Sequence, residues 1–262
     1  MASSQPLLGS AEPGPFELVN PNGQGNLVLL CDHASNRVPD SLGNLGLSSQ
    51  QLASHIGWDP GAALVARELS ARFDAPLFLS NYSRLIIDCN RWPSDPESIP
   101  ESSAGISIPG NCNLTEQGAV CRRQALFEPY QAAIASRLSK SARQPRLLLS
   151  IHSFTAVLAG EQRPWSIGFA HGRDRRFAAL LVDAMNRNAS LVVGDNQPYS
   201  VDDTTDYTIP VHGEDRGLPH VLVELRQDGI ETPADATAWA VRLAAAFRHV
   251  EPKALRLFKM LR

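Results

Sequence analysis

The sequence predicts an α/β domain, a mostly parallel sheet with helices on both faces. Three observations carry that expectation. Apolar strand-like runs alternate with amphipathic helical stretches, the pattern of a sheet built through crossover helices. Leu27-Val28-Leu29-Leu30 and Leu147-Leu148-Leu149 are apolar at successive positions, as in strands covered on both faces. At 262 residues the chain suits one sizeable core, and no linker divides it.

Taken in order, residues 1–20 read as a flexible, polar arm and 21–262 as a single domain. The arm lacks a basic segment followed by an apolar one, so no secretory signal is expected. A first strand leads into Asp32-His33. A short helix is expected over 48–54 and a longer one over 60–73, where Ala62, Leu64, Val65, Ala66 and Leu69 make an apolar stripe. Residues 75–79 and 85–89 read as strands. The Pro-, Ser- and Gly-rich stretch 93–113 reads as a long ordered loop near the site.

Helical patterning covers 114–138, with Pro129 expected to kink or divide it. A strand ending at His152 follows, then a strand over 166–170, a helix over 175–188 and a short strand over 191–193. Residues 196–216 form a second long loop, dense in Asp, Thr and Tyr, before a strand ending at Glu224. Thr232-Pro233 supplies a cap and a first-turn proline for a last helix. That helix is expected to reach about residue 249, with Pro252 separating it from a basic tail.

Composition excludes several roles. Hydrophobic content of 43%, charged content of 19% and a net charge of −3 give no electrostatic case for nucleic acid or an anionic membrane. No apolar stretch approaches a membrane span. Cys31, Cys89, Cys112 and Cys121 form no Cys-x-x-Cys pair, so a zinc ribbon is not expected and a reduced, cytoplasmic protein is. There is no Gly-x-Ser-x-Gly elbow, phosphate loop or dinucleotide fingerprint. Lys140, Lys253 and Lys259 lie in no plausible pocket, against a lysine mechanism.

The chemistry gathers where apolar strands end. Ligands in open α/β sheets bind beyond the carboxyl ends of strands, and His33, His152 and Glu224 are delivered there by three separate runs. His33 and His152 suit a divalent metal. A catalytic zinc site takes three protein ligands and keeps one position open. Asp59, in Gly57-Trp58-Asp59-Pro60-Gly61, is the first candidate for the third, although Asp-Pro is also an ordinary helix cap and local sequence alone favours the cap. Glu224 reads either as a general base or as half of a buried pair with Arg226, which shares its strand face. Arg91, beside Asn90, suits capture of a substrate carboxylate, and Arg84 is a second cation of that segment. Tyr207 and His212, in the second loop, could orient substrate or stabilise an oxyanion.

Several segments resemble N-formylglutamate amidohydrolases. They are Cys31-Asp32-His33-Ala34-Ser35-Asn36-Arg37, His55-Ile56-Gly57-Trp58-Asp59-Pro60-Gly61, Tyr82-Ser83-Arg84, Asp88-Cys89-Asn90-Arg91, Ser150-Ile151-His152-Ser153-Phe154, Gly194-Asp195-Asn196-Gln197-Pro198, Asp206-Tyr207-Thr208 with His212, and Glu224-Leu225-Arg226-Gln227-Asp228. The resemblance implies a three-layer α/β/α sandwich with a mostly parallel mixed sheet, similar to zinc exopeptidases. It implies Zn²⁺, or another divalent metal, on His33, Asp59 and His152, and Glu224 as the base. Asn36, Arg84, Asn90, Arg91, Tyr207, His212 and Arg226 form the implied substrate-binding set. The chain departs from the exopeptidase His-x-x-Glu pair, because Asn36 stands three places after His33 and cannot supply an anionic ligand. The implied substrate is a small N-acyl amino acid such as N-formyl-L-glutamate, with homo-oligomerisation left open. The alternatives are a peptide or cell-wall amidase of the same fold and a ligand-binding homologue without turnover.

Overall fold

The structure is a computed structural model that describes residues 6–140 and 147–260. Seven strands form its central sheet: β1 Phe16–Val19, β2 Leu27–Cys31, β3 Leu77–Ser80, β4 Leu147–Phe154, β5 Ile167–Ala170, β6 Val193–Asp195 and β7 His220–Arg226. Their spatial order is β1-β3-β2-β4-β7-β5-β6. The central strands β3, β2, β4 and β7 are mutually parallel, while β1 and the β5–β6 pair run the other way. The carboxyl ends of β2, β4 and β7 therefore open on one edge.

The helices are α1 Ser49–Ala53, α2 Ala62–Phe73, α3 Glu116–Arg122, α4 Glu128–Lys140, α5 Arg176–Met185 and α6 Pro233–Met260. Alternation along the central strands sorts the layers. Leu147, Leu149, Ile151, Val221, Val223 and Leu225 share a core with residues of α2, α5 and α6. Leu148 and Leu222 pack with Tyr130 and Ile134 of α4 on the opposite face. This is the expected three-layer mixed sheet. His152 and Glu224 follow the second parity, so they emerge on the α4 face.

Four local expectations are corrected. The arm expected over 1–20 carries β1, which pairs antiparallel with β3, and Leu7 is buried; its first five residues lie outside the described residues. Residues 85–89 do not form a strand. Leu85, Ile86 and Ile87 fill a second core around Leu45 and Ile108, and side chains satisfy part of their backbone. Ser83 Oγ accepts from Leu85 N, Asn111 Nδ2 donates to Leu85 O, and Arg122 Nη1 donates to Ile86 O. The short strand expected over 191–193 lies at Val193–Asp195, because Leu191 N closes a turn onto Asn188 O.

The last correction concerns α6, which continues through Pro252. Proline removes one helical hydrogen bond, yet Val250 and Ala254 are buried on either side of it, and packing holds the helix where propensity would end it. Pro129 behaves as expected. A π-turn over Arg123–Phe127 separates α3 from α4 immediately before it, widening the backbone where the ring would meet the preceding turn.

Candidate active site

His33 follows β2 in a turn, whereas His152 and Glu224 lie inside their strands, two residues before each ends. His152 and Glu224 are register partners on parallel β4 and β7. Asp59 comes from the loop before α2, where its amide donates to His33 O at 3.0 Å. It is not the helix cap. Gly61 takes that position at φ 80° with no side-chain cap. A Cβ there would strike Ile230 O at 2.4 Å, so only glycine lets the turn close and aim Asp59 back at the sheet.

The donor atoms of His33, Asp59 and His152 converge within 4.8 Å of one another, and all three residues are buried. Each imidazole is held from behind by a carboxylate. His33 Nε2 donates to Asp88 Oδ1 at 2.7 Å, and His152 Nε2 donates to Asp32 Oδ2 at 3.1 Å. An ionised carboxylate can only accept, so these bonds place the protons on Nε2 and turn both Nδ1 atoms inwards. His152 Nδ1 lies 3.0 Å from Asp59 Oδ2. His33 Nδ1 lies 3.4 Å from the same oxygen and makes no hydrogen bond. A buried nitrogen without a partner is costly, and here it faces a carboxylate that also faces a second ring nitrogen. That donor set fits a divalent cation.

The supporting carboxylates are themselves anchored. Asp32 accepts from Tyr130 OH at 2.9 Å, Thr208 Oγ1 at 3.1 Å and Ser150 Oγ at 2.9 Å. Asp88 accepts from Arg84 Nη2 at 2.7 Å and from Asn90 N at 2.8 Å. Burial would raise the Asp59 and Asp88 carboxyls. For Asp59 the nearby His33 and His152 outweigh it, and for Asp88 Arg84 and His33 do, so both are held below the usual range. Burial would lower His152, but hydrogen bonds to Asp32 and Asp59 push it well above an ordinary histidine.

Glu224 contrasts with these. Its Oε2 is buried without a partner, and burial raises its carboxyl to about 7. It lines a cavity of about 490 Å³ together with His33, Asp59, Asp88 and His152.

Known proteins agree with this architecture. The gene product Atu2144 of Agrobacterium tumefaciens is 35% identical in sequence, with a TM-score of 0.89 over 94% of this chain and 99% of that one. The N-formylglutamate amidohydrolase of Ralstonia eutropha JMP134 is 18% identical and shares the fold, with a TM-score of 0.63 over 90% of this chain and 99% of that one. No curated protein matches the chain. The N-formylglutamate amidohydrolase family model matches residues 25–231. The chain belongs to the N-formylglutamate amidohydrolase family. It is an enzyme, a hydrolase acting on amide bonds.

In this amidohydrolase the substrate-binding candidates divide into two groups. Arg84, Asn90 and Arg91 line the cavity. Arg84 Nη1 is 3.7 Å from Asp59 Oδ1, and Arg91 Nη1 is 3.1 Å from Asp95 Oδ2. Asn90 has both ends of its amide engaged, donating to Asp206 Oδ1 and accepting from Thr208 N, so it braces the second loop.

Asn36, Tyr207, His212 and Arg226 are not among the cavity-lining residues. Tyr207 packs between Trp92 and Phe127. His212 Nε2 donates to Gln131 Oε1 at 2.7 Å, and burial lowers the ring to about 4. Arg226 pairs with Asp228 at 2.8 Å, not with Glu224.

Sequence reasoning passed over Asp32 and Asp88 as holders of the imidazoles, and Arg163 as part of the wall. For the aspartates a signal existed, since a carboxylate inside an apolar run is rare unless paired. Arg163 gave none.

Proposed function

We propose that this amidohydrolase cleaves the amide of a small N-acyl amino acid, of which N-formyl-L-glutamate is the reference substrate, at a zinc centre. The observation that carries the reading is the pair of inward Nδ1 atoms, His33 and His152, fixed by Asp88 and Asp32 around Asp59. His33, Asp59 and His152 would hold the ion, with zinc favoured by two nitrogens and one oxygen. Bound there, the cation supplies a Lewis acid that activates water and polarises the amide carbonyl.

The chain's own groups do the rest. Glu224 Oε2, unpartnered and beside His152, takes the proton from the attacking water and passes it to the departing amine. A carboxyl near 7 is matched to both transfers, accepting when ionised and donating when protonated. Arg84, whose pairing with Asp88 leaves it 30% exposed, is placed to stabilise charge on the former carbonyl oxygen. Arg91 holds the carboxylate beside the scissile nitrogen. Four free cysteines support a reducing, cytoplasmic setting.

The test combines metal analysis of the purified protein with formate release from N-formyl-L-glutamate. Stoichiometric zinc, and activity lost to chelator and restored by zinc, support the proposal. Metal-free protein that releases formate undisturbed by chelator refutes it.

A further inference from the structure

Three arginines line the cavity: Arg84, Arg91 and Arg163. The first two are each paired with a carboxylate of the chain, Asp88 and Asp95. Arg163 is different. It is 8% exposed, and among the described residues no carboxylate oxygen lies within 4.0 Å of its guanidinium. Nη1 donates to Tyr199 OH at 2.7 Å. Nε is buried without a partner, and Nη2 donates to nothing among the described residues.

The group is nevertheless fixed. Its guanidinium carbon sits 5.1 Å from the centre of the Phe154 ring and 5.3 Å from that of Tyr199. Its backbone is tied at both ends, its amide to Ala156 O and its carbonyl to Arg226 Nη1. Burying an uncompensated cation is costly. Two aromatic faces offset part of that cost, but they leave its charge and its Nε and Nη2 donors unspent. His55, also on the cavity wall, has a buried Nε2 without a partner. Among the described residues, this part of the wall offers Arg163 no carboxylate partner.

We propose that Arg163 is the specificity residue of the cavity, binding a second substrate carboxylate distinct from the one beside the scissile nitrogen. Phe154 lies two residues beyond His152 on the same strand face, about 6–7 Å along β4. Arg163 above it therefore meets a group a few bonds from the reacting amide. The inference rests on the amide-hydrolysis reading and deepens it, because it assigns a residue of this chain to the recognition of the second carboxylate. Tyr199, 43% exposed, is a positioning residue that holds Nη1.

The experiment measures binding by calorimetry in zinc-loaded Glu224→Gln protein, where turnover is suppressed. The ligands are N-formyl-L-glutamate and its neutral counterpart N-formyl-L-glutamine. The expected result is tighter binding of the dianion by about 10- to 100-fold, the worth of a hydrogen-bonded charge. Adding Arg163→Gln should abolish that difference while leaving the affinity for N-formyl-L-glutamine within about threefold. The milder Tyr199→Phe, which leaves the buried cation in place, should reduce the difference severalfold. Equal binding of the two ligands, binding of neither, or a preference that survives both substitutions overturns the proposal. Residual hydrolysis in the Glu224→Gln protein would count against Glu224 as base and not against Arg163.

Discussion

Glu224 and His152 are register partners on adjacent parallel strands. The carboxylate proposed to move protons and an imidazole proposed to hold the metal are therefore fixed by backbone pairing, on one face of one sheet. Neither depends on a loop to find the other. The remaining two donors arrive from turns, His33 directly after β2 and Asp59 through the Gly61 turn; His33 is locked by Asp88, and Asp59 by the backbone amide of Ser153 on β4 and by its own amide on His33 O.

Glu224→Gln removes the proton acceptor and keeps the shape. Turnover should fall by about 10²–10⁴ while bound zinc per chain is unchanged. Steady-state kinetics with metal analysis check this, and full activity in the variant would remove Glu224 from the mechanism.

The pH profile follows from the same residue. Glu224 must be ionised to accept a proton, and burial raises it to about 7 without metal. A bound cation favours the ionised form, so kcat/KM should rise with pH along an acid limb whose midpoint lies below about 7. The limb should be absent from the residual rate of Glu224→Gln, and its persistence there would assign it to another group.

Zinc uptake should expel protons. Asp32 and Asp59 outweigh burial and raise His152 well above an ordinary histidine, so metal-free protein carries a proton there at pH 7 that a metal must displace. Calorimetry in two buffers of different ionisation enthalpy measures the release. Uptake without proton release would contradict a protonated His152 in the metal-free protein.

Asp88→Asn and Asp32→Asn each leave an imidazole without its ionised acceptor. Zinc affinity should drop by about 10- to 100-fold in each, with secondary structure retained in circular dichroism. An unchanged affinity would mean that these carboxylates do not orient the ligands.

The legible parts of the molecule were those written in local patterns. Buried parallel strands read directly from unbroken apolar runs, and the strands carrying His152 and Glu224 marked the site because polar residues interrupt them. The segment 85–89 misled for the same reason. Its apolar run is buried, but Ser83, Asn111 and Arg122 satisfy its backbone in place of a neighbouring strand, and such distant side-chain partners leave no periodic trace. Asp59 was ambiguous because an Asp-Pro dipeptide looks the same whether it caps a helix or turns towards a metal; the left-handed Gly61 decided it. Arg226 shares a strand face with Glu224 but turns to Asp228, a choice made by side-chain torsions. Arg163 was silent, since its meaning lies in the absence of a nearby carboxylate among the described residues.

The central claim is that His33, Asp59 and His152 hold a catalytic zinc ion. A crystal of zinc-loaded protein, with anomalous scattering recorded at the zinc edge, tests it most directly. The expected result is one strong peak bonded to His33 Nδ1, His152 Nδ1 and an Asp59 oxygen, at about 2.0–2.2 Å, with Glu224 outside the bonding shell. A peak elsewhere, or one ligated by Glu224 in place of Asp59, would contradict the account.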